Sequence, residues 1–211
     1  ALHGMAGLPV GRIIFRAGRG FCASTGFKIE LKGVQSHASQ PEQGNNPAYL
    51  MAELTTLVEP LKEFNGFTPR SWNGIDFKNL VMATVVYQRL GEKAFGVSPS
   101  TAEMGLTLRA YYEAEIDQLI EAIEEFVKKG AEERGLEYSF EQLERFPETA
   151  SDEELVERIQ PLLDEWGINW GIREEAARGS EDFGHLSKLV PSIYFILGLG
   201  EDVPPVHNVN F

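Results

Sequence analysis

Three of the chain's four histidines stand in polar or Gly/Pro-rich stretches: His3 in ALHGM, His37 in SHASQP and His207 in PPVHNV. A neutral imidazole is a good ligand for Zn²⁺ and related ions, and hydrolytic metal sites draw ligands from strand ends far apart in the chain. Spacing alone also leaves each of them open to an ordinary surface or hydrogen-bonded role. His37 lies in GVQSHASQPEQGNNPA, residues 33–48, between a segment that reads as a strand and one that reads as a helix. The fourth, His185, sits in a helical stretch and reads as structural. The single cysteine, Cys22 in GFCAS, reads as a small buried residue. With no second cysteine there is no internal disulfide, which suits a reducing compartment, and the cytoplasm is the expected location.

Alternation and helical spacing indicate the elements that must hold these residues. GFKIELKG sets Phe27, Ile29 and Leu31 against Lys28, Glu30 and Lys32, a period of two that predicts a strand with one buried face. From Pro47, PAYLMAELTTLVEPLKEF spaces Leu50, Leu54, Leu57, Val58 and Leu61 as an amphipathic helix does, and Pro60 kinks or ends it. NLVMATVVYQRL, rich in β-branched residues, and AEMGLTLRAYY predict two further strands. A second helix is predicted from Glu113 to Arg134 on the stripe Ile116, Leu119, Ile120, Ile123, Phe126 and Val127. Gly135 stops it, and LEYSFEQLERF resumes alternation.

The order over residues 26–146 is thus β-α-β-β-α-β, the split arrangement in which two helices cover one face of a four-stranded antiparallel sheet. Outside it, GRIIFRAG predicts a short strand, Ser151 or Asp152 caps a helix in EELVERIQPLLDEWG, and PSIYFILG predicts a buried strand. These flanking segments are expected to form one other domain, which the chain leaves and re-enters.

Charge and hydropathy exclude several classes. Of the formal charge of −13, residues 113–165 hold 18 acidic and 5 basic side chains, leaving 14 of each elsewhere. The excess therefore falls on amphipathic helical segments, where a charged solvent face is the ordinary explanation. Nucleic acid is not an expected partner, because phosphate binding needs clustered Lys and Arg. No stretch reaches the roughly 18 apolar residues of a membrane span, so no membrane partner is expected. No secretory leader is visible, and because Ala1 is not an initiator methionine the start of the gene product is expected to lie upstream.

Taken in order, the motifs ALHGMAGLPVG, AS-x-x-F-x-I-x-x-x-G-x-x-S-H-A-S-x-P-x-x-G-x-N-P, SPSTAEMGLTLR, GSEDF, PSIYFILG and PPVHN resemble the aminoacylase-like metallopeptidases. The resemblance is strongest to the amidohydrolase branch that includes hippurate hydrolases and indole-acetyl-amino-acid hydrolases, and it covers nearly the whole chain. It implies an α+β fold: a ferredoxin-like β-α-β-β-α-β lid domain, residues 25–147, inserted into part of an α/β metallohydrolase catalytic domain formed by residues 1–24 and 148–211. It also implies a divalent-metal cofactor, two ions of Zn or Mn in the intact protein, and a small N-acyl amino acid or peptide substrate. A homodimer through the lid domain is a further expectation.

Residue by residue, the resemblance makes His3 and His207 metal ligands. His37 becomes a lid histidine that reaches into an active site, its own or a partner's, to stabilise the oxyanion at the scissile carbonyl. Arg109 in GLTLR matches an arginine that binds a substrate carboxylate; otherwise it is a strand arginine in an ion pair. Glu181 in GSEDF matches a position that orients a ligand or contacts substrate; otherwise it is a helix N-terminal carboxylate after Ser180. Gly96 stands where relatives carry an Asn, so one lid contact to substrate is expected to be altered. The upstream metal motif and the Glu-Glu pair holding the general base have no counterpart here, and the chain alone is expected to be inactive. The rival reading from another class is a non-catalytic dimerisation or binding module with the same lid fold.

Overall fold

The computed structural model describes residues 1–204, so His207 lies outside the described residues. Along the chain run β1 (Leu2–Ala6), β2 (Ile13–Phe15), β3 (Gly18–Phe21), β4 (Ala23–Lys32), α1 (Ala48–Val58), β5 (Arg70–Trp72), β6 (Ile75–Phe77), β7 (Val81–Leu90) and β8 (Thr101–Ala110). There follow α2 (Glu113–Arg134), β9 (Glu137–Phe146), β10 (Thr149–Ser151), α3 (Glu153–Glu165), β11 (Trp170–Ile172), α4 (Phe183–Ser187) and β12 (Phe195–Gly200). These elements form two compact units, one of Ser24–Arg145 and one combining Ala1–Ala23 with the chain from Phe146 onward.

In the unit Ser24–Arg145 the long elements follow the order β4-α1-β7-β8-α2-β9, and the sheet order is β7-β8-β4-β9. Alternation explains the strands. Phe27, Ile29 and Leu31 of β4 are buried, as are Ala102, Met104, Leu106, Leu108 and Ala110 of β8, while the residues between them, Gly105 apart, are more open. Leu50, Leu54 and Val58 of α1 and Ile116, Leu119, Ile123 and Val127 of α2 supply the opposing apolar surface. Each such fully buried side chain contributes roughly 1.5–3 kcal/mol. Gly135, left-handed at φ 63°, closes α2 by donating its N–H to the Ala131 and Glu132 carbonyls.

The antiparallel β7–β8 pairing slips between Val85 and Tyr87, and a Cβ at Gly105 would collide with the Tyr87 ring. β5 and β6 form a hairpin whose turn residues Asn73 and Gly74 both have positive φ, the conformation that Asn-Gly adopts readily.

In the other unit a four-stranded sheet has the order β1-β12-β2-β11. β1 runs parallel to β12 with His3 opposite Ile196, β12 is antiparallel to β2, and β11 is parallel to β2. The short strand expected in GRIIFRAG is β2, which ends at Phe15; a further strand, β3, starts at Gly18 (φ 70°) and pairs with β10. Phe15, Val156 and Leu163 make one apolar cluster with Trp170 and Phe195, and Phe21, Tyr194 and Ile196 make a second with Met5 and Phe183. Asp152 is the N-cap of α3, its side chain accepting the Leu155 N–H at 2.9 Å. Asp152→Ala is therefore expected to cost about 1 kcal/mol, read by chemical unfolding.

Candidate functional site

His37 is exposed, on the loop between β4 and α1. That loop is bound to the β7–β8 hairpin by backbone bonds: the Gly33 N–H reaches Ser100 O (2.7 Å), Ala38 N–H reaches Gly96 O (2.9 Å) and Ser98 N–H reaches Ser36 O (2.9 Å). Buried Ser36 adds a hydroxyl pair with Ser98 (2.9 Å), and the Ser36 N–H donates to Ser98 Oγ (3.0 Å). The loop folds back on itself through Val34 and Asn45, whose backbones exchange hydrogen bonds of 3.1 and 2.9 Å. The close approach requires Gly33, because a Cβ there would overlap the Asn45 carbonyl oxygen.

The Ser39 backbone N–H points at His37 Nδ1 at 3.1 Å, and Ser39 Oγ lies 2.7 Å from the same atom. A backbone N–H can only donate, so Nδ1 of the neutral ring must be the acceptor and Nε2 carries the proton. Whenever the ring is neutral its proton is thus on Nε2, the form needed to meet a developing oxyanion.

Arg109 is half-buried on β8, opposite Met82 and flanked by buried Leu108 and Ala110. It lies at the far end of β8 from Ser100, the residue whose carbonyl anchors the His37 loop. At 3.3 Å per residue, the strand alone separates Ser100 from Arg109 by roughly 30 Å. His37 and Arg109 are therefore not brought together within one copy of this unit.

The second cluster lies in the unit containing β1 and β12. His3 of β1 has its Nδ1 3.7 Å from Glu181 Oε2, and its ring stacks on Tyr194 at 6.2 Å between centroids. Glu181 precedes the short helix α4, and its carbonyl accepts from the Gly184 N–H (3.1 Å) and from Thr149 Oγ1 (3.4 Å). Gly184 must be glycine for α4 to sit this close, because a Cβ would lie 2.5 Å from the Pro147 carbonyl oxygen. Tyr194 is buried between Phe21 and Phe183; burial first, then the neighbouring Glu181 carboxylate, pushes its phenol well above the usual range. His185 packs edge-on against Phe146, and Cys22 is buried.

Sequence reasoning selected His3, His37, Arg109 and Glu181 and missed Ser39, Ser98 and Tyr194. A serine two residues after His37 is a readable signal for a side-chain lock, whereas Tyr194 lies in an apolar run and reads as core.

Among the described residues no group of three or more His, Cys, Asp or Glu is placed to hold a metal ion. The donor chemistry of His3, an imidazole with a carboxylate facing its Nδ1, nevertheless fits one ligand of such a site.

A family model described as the peptidase dimerisation domain of the M20 peptidases matches residues 20–135, more than half of the chain. The chain belongs to the M20 peptidase family. Its curated relatives include the N-acetyldiaminopimelate deacetylase of Bacillus licheniformis, 25% identical over 205 residues, covering 94% of this chain and 50% of the relative. Another is the IAA-amino acid hydrolase ILR1-like 2 of Arabidopsis thaliana, 23% identical over 206 residues, covering 95% of this chain and 44% of the relative. The chain thus spans about half the length of the curated relatives it matches.

Among solved structures, a Bacillus subtilis protein described as a dinuclear metal binding peptidase of the M20 family superposes with a TM-score of 0.69 at 17% identity. That match covers 93% of this chain and 46% of the other. The aminobenzoyl-glutamate utilization protein of Klebsiella pneumoniae gives 0.72 at 20% identity, over 94% and 49%. At these identities the superpositions show the M20 fold. No helix among the described residues is long and apolar enough to cross a membrane.

Proposed function

We propose that this chain is the C-terminal portion of a metal-dependent amidohydrolase that cleaves the amide bond of N-acyl amino acids or small peptides. The observation that carries the reading is His37, its Nδ1 occupied by the Ser39 N–H, on a loop sewn to the hairpin beside it, within a chain of the M20 family. Relatives named as a deacetylase and an amino acid hydrolase support amide hydrolysis as the reaction class. His3 and His207 are the residues of this chain that would hold a pair of divalent ions, Zn or Mn. The chemistry such ions supply is Lewis-acid activation of the scissile carbonyl and of the attacking water.

Three of the chain's own residues take further parts. His37 donates from Nε2 to the carbonyl oxygen as negative charge develops there, Arg109 binds the substrate carboxylate with its guanidinium fork, and Glu181 fixes the neighbourhood of His3. The separation of His37 from Arg109 means that one substrate meets both only if they come from two copies. We therefore read the protein as a homodimer in which each lid histidine serves the partner's site. The match to a dimerisation domain supports this, as does β7, a sheet-edge strand on which Val85, Val86, Tyr87 and Leu90 are exposed.

The experiment is hydrolysis of a panel of N-acyl amino acids with added Mn²⁺ or Zn²⁺, by the 211-residue chain and by the longest product of its gene in parallel. Turnover by the longer product alone is expected. No turnover by either would remove the enzyme reading in favour of a binding module.

A further inference from the structure

We infer that Ser98 is a positioning residue for His37: its hydroxyl, on the connection between β7 and β8, sets the direction in which the neighbouring loop presents the imidazole. The inference rests on the amidohydrolase reading for the purpose of His37, while its geometry stands without that reading.

The loop between β4 and α1 is held in two separate places. At its base the backbones of Val34 and Asn45 exchange hydrogen bonds, and Asn45 Nδ2 donates to the carbonyl of Gly135 (3.0 Å), the residue that closes α2. At its apex residues 36–38 run antiparallel to residues 96–98, with His37 opposite Val97. The backbone bonds of this bridge come from the neighbours of that pair, Ala38 N–H to Gly96 O and Ser98 N–H to Ser36 O.

Ser36 is where the apex is fixed. It is buried, and its side chain lies against Gly44, where an added Cβ would lie 2.8 Å from both Ser36 Cβ and Ser36 Oγ. Its N–H donates to Ser98 Oγ (3.0 Å), and its hydroxyl meets the same oxygen at 2.9 Å. A backbone N–H can only donate, so Ser98 Oγ accepts there, and one hydroxyl carries both contacts. Removing that hydroxyl leaves the N–H of a buried residue without its acceptor, which costs more than the bond itself contributes. His37 is the next residue in the chain, so a turn of the Ser36 peptide re-aims its side chain directly.

Ser98 thus acts on the imidazole through the Ser36 backbone, while Ser39 locks the ring from the other side of His37 in the chain. Such aim matters to chemistry, because a misplacement of about 1 Å at a reacting group can cost about a hundredfold in rate.

The first test is amide hydrogen exchange, followed residue by residue by NMR in the 211-residue chain. Ser98→Ala should speed exchange at Ser36 and Ala38 about tenfold, the scale of one unmet donor. Val34 and Asn45 should keep their wild-type rates, because the apex opens and the base does not. Ser98→Thr keeps the hydroxyl and should restore the wild-type pattern. The second test is kinetics in the longest product of the gene. There Ser98→Ala should lower kcat about tenfold with KM unchanged, and the loss should disappear when His37 is already alanine. Unmoved exchange at Ser36 and Ala38 overturns the inference, and so does an equal rise at Val34 and Asn45, which would make Ser98 a general stabiliser. A threonine that fails to rescue, an unchanged kcat in an active enzyme, or a kcat loss that persists in the His37→Ala background each overturn it as well. A wild type with no turnover sinks the amidohydrolase reading instead, and the exchange pattern then still decides whether Ser98 directs the loop.

Discussion

Replacing His37 by alanine in the longest active product is expected to lower kcat about a hundredfold to a thousandfold, the usual loss when one oxyanion donor is removed. The melting temperature should barely move, because His37 is exposed and exposed substitutions usually fall within about 0.5 kcal/mol. The argument depends on the tautomer. Ser39 N–H occupies Nδ1, so the only proton the neutral ring can offer is on Nε2. Removing it takes away an interaction made chiefly with the transition state, so kcat and kcat/KM should fall together. Unchanged turnover would end the oxyanion role and leave His37 as a loop histidine shaped by its serine.

Gly33→Ala should be the most damaging single methyl in the lid unit. A Cβ at Gly33 would overlap the Asn45 carbonyl oxygen and press on the Leu136 side chain, and the Asn45 backbone cannot yield without breaking its bonds to Val34. Forced overpacking of this kind costs about 3 kcal/mol, on the order of 10 °C in melting temperature. Because the same backbone carries His37, turnover should fall as well. Gly96→Ala is the matched comparison: nothing lies within 4 Å of the added methyl, and little change is expected. Thermal unfolding of the two variants decides between them; equal stability would mean that the loop is not held in the closed pairing described.

The lid unit was largely legible in the sequence because each of its long elements buries one face. β4 shows a clean period of two and α2 a stripe at three and four residues, and both ends of α2 fall where the stripe and Gly135 place them. The short strands were not legible for the same physical reason. β5, β6, β10 and β11 have three residues each, too few to display a period, and their pairing partners lie outside the local sequence. The Asn73–Gly74 turn was the one available signal for β5–β6.

For the site, residue type and motif order picked out His3, His37, Arg109 and Glu181. They could not reveal which of these meet. His3 and Glu181 are joined only by the parallel pairing of β1 with β12 and the seating of α4, both long-range. His37 and Arg109 look like partners in one motif series but are held apart by the length of β8. That separation is the strongest physical argument for a site assembled from two chains, and it follows from counting residues along a strand.

The most direct test of the two-chain site is complementation. His37→Ala and Arg109→Ala are made separately in the longest product of the gene, each expected to be nearly inactive, and the two are then co-expressed. In a mixed dimer one site receives intact His37 from one chain and intact Arg109 from the other. Half of randomly paired dimers are mixed and each has one good site of two, so activity should return to about a quarter of wild type. Activity of the co-expressed pair no higher than that of the single variants, in dimers shown to be mixed, would contradict a lid histidine acting in the partner's site.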